Sequence, residues 1–186
     1  MRRAVMIGVM WLWTALPAQA QSPPPVFNST AAAVVGGGRT WDDEGVIGDG
    51  ALVGGRVDWR LGGRTFVEGA VERLHHERTG RFTADGHTTF VTAALVQRFG
   101  GGAAQPYALG GGTIAHHSGT FGFLGDSKVS LAESTDVGVV FGGGLAVRVA
   151  RRFEIGPEIR FFLLRPDDDS SPAFVYWIGA RVGVRF

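Results

Sequence analysis

Hydrophobic and polar residues alternate along most of the chain with a period of two, the period of a β-strand, whose successive side chains point to opposite faces. The last residues show it best. From 173 to 186, Phe174, Tyr176, Ile178, Ala180, Val182, Val184 and Phe186 fall on one face, and Val175, Trp177, Gly179, Arg181, Gly183 and Arg185 on the other. Residues 51–61 alternate as cleanly, with Ala51, Val53, Gly55, Val57, Trp59 and Leu61 opposite Leu52, Gly54, Arg56, Asp58 and Arg60. Segments 65–76, 136–150 and 153–164 follow the same rule, each with an apolar face and a face carrying Glu, Arg or Gly. Three further segments read less clearly. The facing of 30–41 is open; in 88–99, Val91, Ala93, Leu95 and Phe99 outward leave Arg98 inward; in 105–117, Tyr107 and Leu109 are expected outward with Gly110 and Gly112 inward.

The connections between these eight predicted strands alternate in length. Those near 42–50, 77–87, 118–135 and 165–172 are long, polar and rich in turn formers, whereas those near 62–63, 100–104 and 151–152 are short. An even number of antiparallel strands with short turns at one end and long loops at the other predicts an all-β, eight-stranded, antiparallel up-and-down transmembrane barrel with both termini periplasmic. The direction of the faces follows from cost. An arginine facing lipid loses about 2–4 kcal/mol at the bilayer midplane, so Arg181 and Arg185 belong inside and the apolar faces outside. A soluble ligand-binding barrel of the inverse sense is the competing architecture. Against it, Trp59, Phe99, Tyr107, Phe153 and Phe186 would all fall on the outward face at the periplasmic strand ends, as a membrane-interface girdle requires.

Composition adds a destination. Residues 1–20 have Arg2 and Arg3, an apolar run from Ala4 to Leu16, and Ala18-Gln19-Ala20 as a small-residue cleavage site, the layout of a secretory signal peptide. Residues 21–29, with three consecutive prolines, read as a periplasmic lead-in, and 30–186 as the barrel domain. Cleavage removes two arginines, so 16 basic residues face 17 acidic ones and the mature charge is −1; nothing recommends a nucleic-acid partner. The absence of cysteine excludes disulfides, thiolate metal sites and an acylated N-terminal cysteine. Thirty glycines exceed the usual share of about 7% and suit strongly curved strands.

The signal, the eight alternating segments, the loop asymmetry and the terminal Phe186 together resemble the small outer-membrane β-barrel domains of the OmpA/OmpX-like superfamily, as does Gly156-Pro157-Glu158-Ile159-Arg160-Phe161. The resemblance implies a bacterial outer-membrane location, porin-like architecture in the Gram-negative cell envelope, and recognition of Phe186 by the barrel-assembly machinery.

Strand parity directs Asp58, Glu68, Glu72, Glu154 and Glu158 into the lumen with Arg56, Arg60, Arg98, Arg148, Arg160, Arg181 and Arg185. An eight-stranded barrel is just wide enough for side chains to fill, and buried charges need partners, so these twelve predict a charge-plugged bore. A gated path for small solutes or ions is the alternative. His76 and His116 share the predicted inward parity, and Glu72 is the one nearby third ligand for a metal; exposed rim histidines are the preferred reading, with no metal or cofactor. Acidic residues in the first and last long loops, among them Asp42, Asp43, Glu44, Asp49 and Asp167 to Asp169, could bridge to lipopolysaccharide phosphates through cations, although they lack calcium-loop spacing. His116 and Ser118 lie on one strand face and resemble the His-x-Ser element of outer-membrane lipid A deacylases, with Glu133 available to orient the histidine; Gly119 and Thr120 depart from that family's pattern. The expectation is a non-enzymatic, monomeric outer-membrane barrel with no catalytic residues. It would contact lipid and lipopolysaccharide and act structurally or through its extracellular loops, with a lipid A 3-O-deacylase-like esterase as the enzymatic alternative.

Overall fold

Each alternating segment pairs antiparallel with its neighbours. The computed structural model describes residues 28–42, 45–79, 82–123, 129–130, 133–165 and 172–186. The strands are β1 (Ser29–Asp42), β2 (Gly45–Gly62), β3 (Thr65–Thr79), β4 (Phe82–Arg98), β5 (Ala104–Phe123), β6 (Val129–Ser130), β7 (Ser134–Arg148), β8 (Phe153–Arg165) and β9 (Ala173–Arg185). Eight of them are long; β6 is two residues that pair with the end of β5. Around the wall the order is β4-β3-β2-β1-β9-β8-β7-β5, and pairing of β4 with β5 closes it, so the long strands leave no open edge. The seam between β1 and β9 ends in reciprocal backbone bonds of 3.0 Å between Ser29 and Phe186. Residues 1–20, expected as a secretory signal, most of the expected lead-in, and the acidic residues Asp43, Glu44 and Asp167 to Asp169 lie outside the described residues.

Two of the three short connections reverse the chain at a glycine. Gly63 (φ 53°) follows β2, and Gly100 (φ 74°) follows β4, both in the left-handed region that glycine enters without steric penalty. Three segments expected as long loops are largely strand instead. β2 begins at Gly45, β3 runs to Thr79 with β4 starting at Phe82, and β5 continues to Phe123. Their polar composition marks strand extensions as well as turns. Arg39 and Asp49 show how such a segment stays paired: they are register partners of β1 and β2 and form a bidentate ion pair, one contact at 2.7 Å.

Burial separates the two faces. Val53 is 60% and Leu61 65% exposed, whereas Glu72 and Arg160 are 0% exposed. β1, unassigned from the sequence, turns Thr30, Ala32, Val34, Gly38 and Thr40 inward and exposes Val35. β5 has the opposite facing to that expected: Tyr107 and Leu109 are buried in the lumen, and Gly110 and Gly112 face out. Both faces of this strand carry small residues, so alternation alone did not decide it. What decides it is volume, because the lumen needs bulk and an outer wall tolerates glycine. Gly144, the register partner of Tyr107, supplies the space; a Cβ there would lie 2.6 Å from the Tyr107 hydroxyl.

Candidate functional site: the barrel lumen

The lumen is layered along the barrel axis. β2, β3, β4, β8 and β9 all place charges toward the end carrying the termini and apolar side chains toward the far end. On β3 the inward sequence is Phe66, Glu68, Ala70, Glu72, Leu74; on β8 it is Glu154, Gly156, Glu158, Arg160, Phe162, Leu164.

Two charge clusters fill the first half. Nearer the termini, Arg98 donates to Glu154 (3.0 Å) and Asp58 (3.0 Å) while stacking 4.6 Å over the Phe66 ring. Arg181 packs against Glu154 and lies 3.8 Å from Asp58, with its cation 5.1 Å from the Tyr107 ring. Farther in, Arg56 donates to Glu158 (2.6 Å) and Glu68 (3.1 Å), and Arg160 to Glu158 (2.6 Å) and Glu68 (2.8 Å). The Tyr107 hydroxyl also donates to Glu158. Glu72 stands at the edge, 3.4 Å from Arg160, with neither oxygen hydrogen-bonded.

Above the charges lies an apolar layer that parity did not reveal. Leu52, Leu74, Phe90, Val140, Phe162, Leu164, Val175 and Trp177 are buried there in one contiguous core. Phe90 stacks on Phe162 at 4.3 Å, and Arg160 lies 5.8 Å over the Trp177 ring, joining this layer to the upper charge cluster. The signal was present in the sequence as bulky apolar residues on the polar parity near the far ends of several strands, and it became visible only with strand register. Beyond it, His117 Nδ1 bonds the Thr88 hydroxyl (2.9 Å) and its Nε2 lies 3.0 Å from Asp136.

Of the twelve expected lumen charges, the structure joins nine in these clusters: Arg56, Asp58, Glu68, Glu72, Arg98, Glu154, Glu158, Arg160 and Arg181. Arg60, Arg148 and Arg185 sit apart, partly exposed at the terminal mouth. In the expected girdle, Trp59, Phe99, Phe153 and Phe186 are outward and about half exposed. Tyr107 is not among them, because its hydroxyl finds a buried carboxylate partner. A second aromatic group, unanticipated, lines the outer wall toward the far end of β7 to β9: Phe141, Phe161, Phe174 and Tyr176, with successive ring centroids 5.3, 5.9 and 6.4 Å from Phe161.

The histidines are placed differently from the parity estimate. His116 faces out, not into the lumen, and is exposed; it bonds Thr135 at 3.1 Å and lies 3.8 Å from Glu133, while the His76 side chain is outside the described set. Among the described residues no group of three or more His, Asp or Glu is arranged to hold a metal ion. Ser118 hydrogen-bonds His87 Nε2 at 2.7 Å, not His116. Beyond the apolar band, the hydrogen bond from Arg39 holds the Asp49 carboxyl below its usual range.

No family model matches the chain, and neither does any curated protein sequence. Solved structures do. The surface protein NspA of Neisseria matches with a TM-score of 0.65 at 14% identity, over 85% of this chain and 97% of that one. The chain has the fold of the small outer-membrane β-barrels. Ail, the attachment invasion locus protein of Yersinia pestis, matches at 0.58 and 19% identity over 86% and 99% of the two chains. The N-terminal β-barrel domain of OprF from Pseudomonas aeruginosa matches at 0.54 and 19% over 86% and 98%. These barrels share the eight-strand wall with this chain, and identity this low carries the fold alone.

Proposed function

We propose that the protein is a non-enzymatic, monomeric barrel of the bacterial outer membrane whose lumen is sealed and whose role is structural or exercised through its far-end hairpins. The observation that carries the reading is the double closure of the bore, a salt-bridged layer backed by an apolar one. A path for solutes would have to cross the packed side chains of Phe90, Phe162, Leu164 and Trp177, so the conduit alternative loses ground. The outer wall supports the location: Val, Leu, Ile and Phe are exposed all round it, a surface suited to hydrocarbon and adverse in water. Short turns at the terminal end and longer hairpins opposite support a periplasmic placement of both termini. Phe186 would then serve the assembly machinery, and the far-end hairpins would meet lipopolysaccharide.

Fractionation and surface proteolysis test this reading. The protein is expected in the outer-membrane fraction, with heat-modifiable migration, and a protease added to intact cells should cut the far-end hairpins but not the terminal turns. Recovery as a soluble periplasmic protein, or cutting at the terminal turns, would overturn it. A second reading rests on Ser118 and His87, a hydroxyl within hydrogen-bond reach of an imidazole on the outer wall, the pairing an acyl-transfer nucleophile needs. Mass spectrometry of lipid A from cells expressing wild type and Ser118→Ala separates the two; a Ser118-dependent loss of an acyl chain would favour the esterase.

A further inference from the structure

The two lumen clusters differ in charge balance. In the one nearer the termini, Arg98 and Arg181 face Asp58 and Glu154, two cations to two anions. In the inner one, Arg56 and Arg160 face Glu68, Glu72 and Glu158. Among the described residues three carboxylates there share two guanidiniums, and the excess falls on Glu72. Arg56 and Arg160 each bond both Glu68 and Glu158, at 2.6–3.1 Å, and Glu158 also accepts from the Tyr107 hydroxyl. Glu72 has the 3.4 Å approach of Arg160 Nη1, and neither of its oxygens accepts a hydrogen bond. That distance exceeds the about 2.7–2.9 Å of a charge-assisted hydrogen bond. The wall around Glu72 explains the shortage. Its register partners are Gly54 on β2 and Phe90 on β4, and Leu74 is the next inward residue of β3; none has a side chain that can donate. The remaining lumen charges stand off at either end. Arg60, Arg148 and Arg185 lie at the terminal mouth, past the balanced cluster, and His117 and Asp136 lie beyond the apolar layer, 3.0 Å from each other.

We infer that Glu72 is a proton-binding site: the barrel closes around one extra proton, carried by the Glu72 carboxyl at neutral pH, which brings the inner cluster to two cations and two anions. Glu72 is 0% exposed, and a buried carboxylate without a hydrogen-bonded partner neutralises rather than bear the desolvation of its charge. A metal ion would need several oxygen ligands, and among the described residues no group of three or more His, Asp or Glu is arranged to hold one. A proton needs one oxygen. The neutral carboxyl then caps the charged layer where the apolar layer begins, beside the stacked rings of Phe90 and Phe162. The inference rests on the sealed bore, since an open lumen would let water hydrate Glu72 as a carboxylate.

Infrared spectroscopy of the folded barrel in lipid vesicles at neutral pH tests it. Exposed carboxyls, which titrate near about 4, and the arginine-paired ones are ionised there and do not contribute to the C=O stretch of a protonated carboxyl. Wild type should show that band. Glu72→Gln, an uncharged substitute of the same shape, should lose it while still showing the heat-modifiable migration of a folded barrel. Asp49→Asn, a change at an exposed acid, should keep it. Wild type carrying carboxyl-labelled carbon-13 glutamate should show the band displaced, which keeps the test open if the variant fails to fold. The inference is overturned if wild type shows no band, if the band survives in folded Glu72→Gln, or if glutamate labelling leaves it in place. Planar-bilayer recordings of the same preparation separate the causes. A missing band in a barrel that gives no channel steps removes the proton site alone; a missing band in one that conducts removes the sealed bore with it.

Discussion

Arg160 and Glu72 show how unequal two buried charges in one lumen can be. Arg160 is fully buried and faces Glu68, Glu72 and Glu158 at once, so truncating it strands Glu72 and leaves Glu68 and Glu158 with Arg56 as their one arginine partner. Arg160→Ala is therefore expected to cost about 3–5 kcal/mol, the range for breaking a buried pair. Glu72 has one ion contact, at 3.4 Å, and no hydrogen bond, so its charge is desolvated with little return. Glu72→Gln should cost less than about 1 kcal/mol or stabilise the barrel. Urea unfolding in lipid vesicles measures both; equal destabilisation by the two changes would contradict this account of the network. Tyr107 marks the limit of reading at this scale. Its ring suits a membrane interface and its hydroxyl suits a buried carboxylate, and the deciding partner, Glu158, is 51 positions away in sequence.

The strands were not equally legible from alternation. β2, β8 and β9 were legible because Arg and Glu alternate with Val, Ile and Phe, and a one-residue slip would put charges into lipid. β1 and β5 were not, because glycine and alanine fit either face. The strand extensions at the far end were also hidden, since Asp, Gly and Ser are the residues that mark turns. β9 bears the greatest weight among the elements, pairing with β1 along one side and β8 along the other. Phe186, immediately after it, closes the seam through two backbone bonds to Ser29 and places an aromatic side chain, 60% exposed, in the lower girdle. Deleting Phe186 should abolish membrane insertion, while deleting residues 167–171 between β8 and β9 should leave it largely intact. Heat-modifiable migration of membrane fractions checks the pair, and equal tolerance of both deletions would show that the seam does not govern assembly.

At the scale of the whole molecule, the barrel combines two closures of different chemistry. The charged layer fills the bore with arginines fixed by carboxylates; the apolar layer fills it with packed hydrocarbon and aromatic rings. Alternation predicted the first, and strand register was needed for the second, because side chains such as Leu52, Leu74, Phe90 and Phe162 meet only when four strands are aligned. The sealed lumen is the central claim, and single-molecule conductance in planar lipid bilayers tests it most directly. Wild-type protein inserted at neutral pH should give no steady channel steps above the bare-membrane baseline; a stable, ohmic open conductance would contradict the sealed bore and make the barrel a conduit.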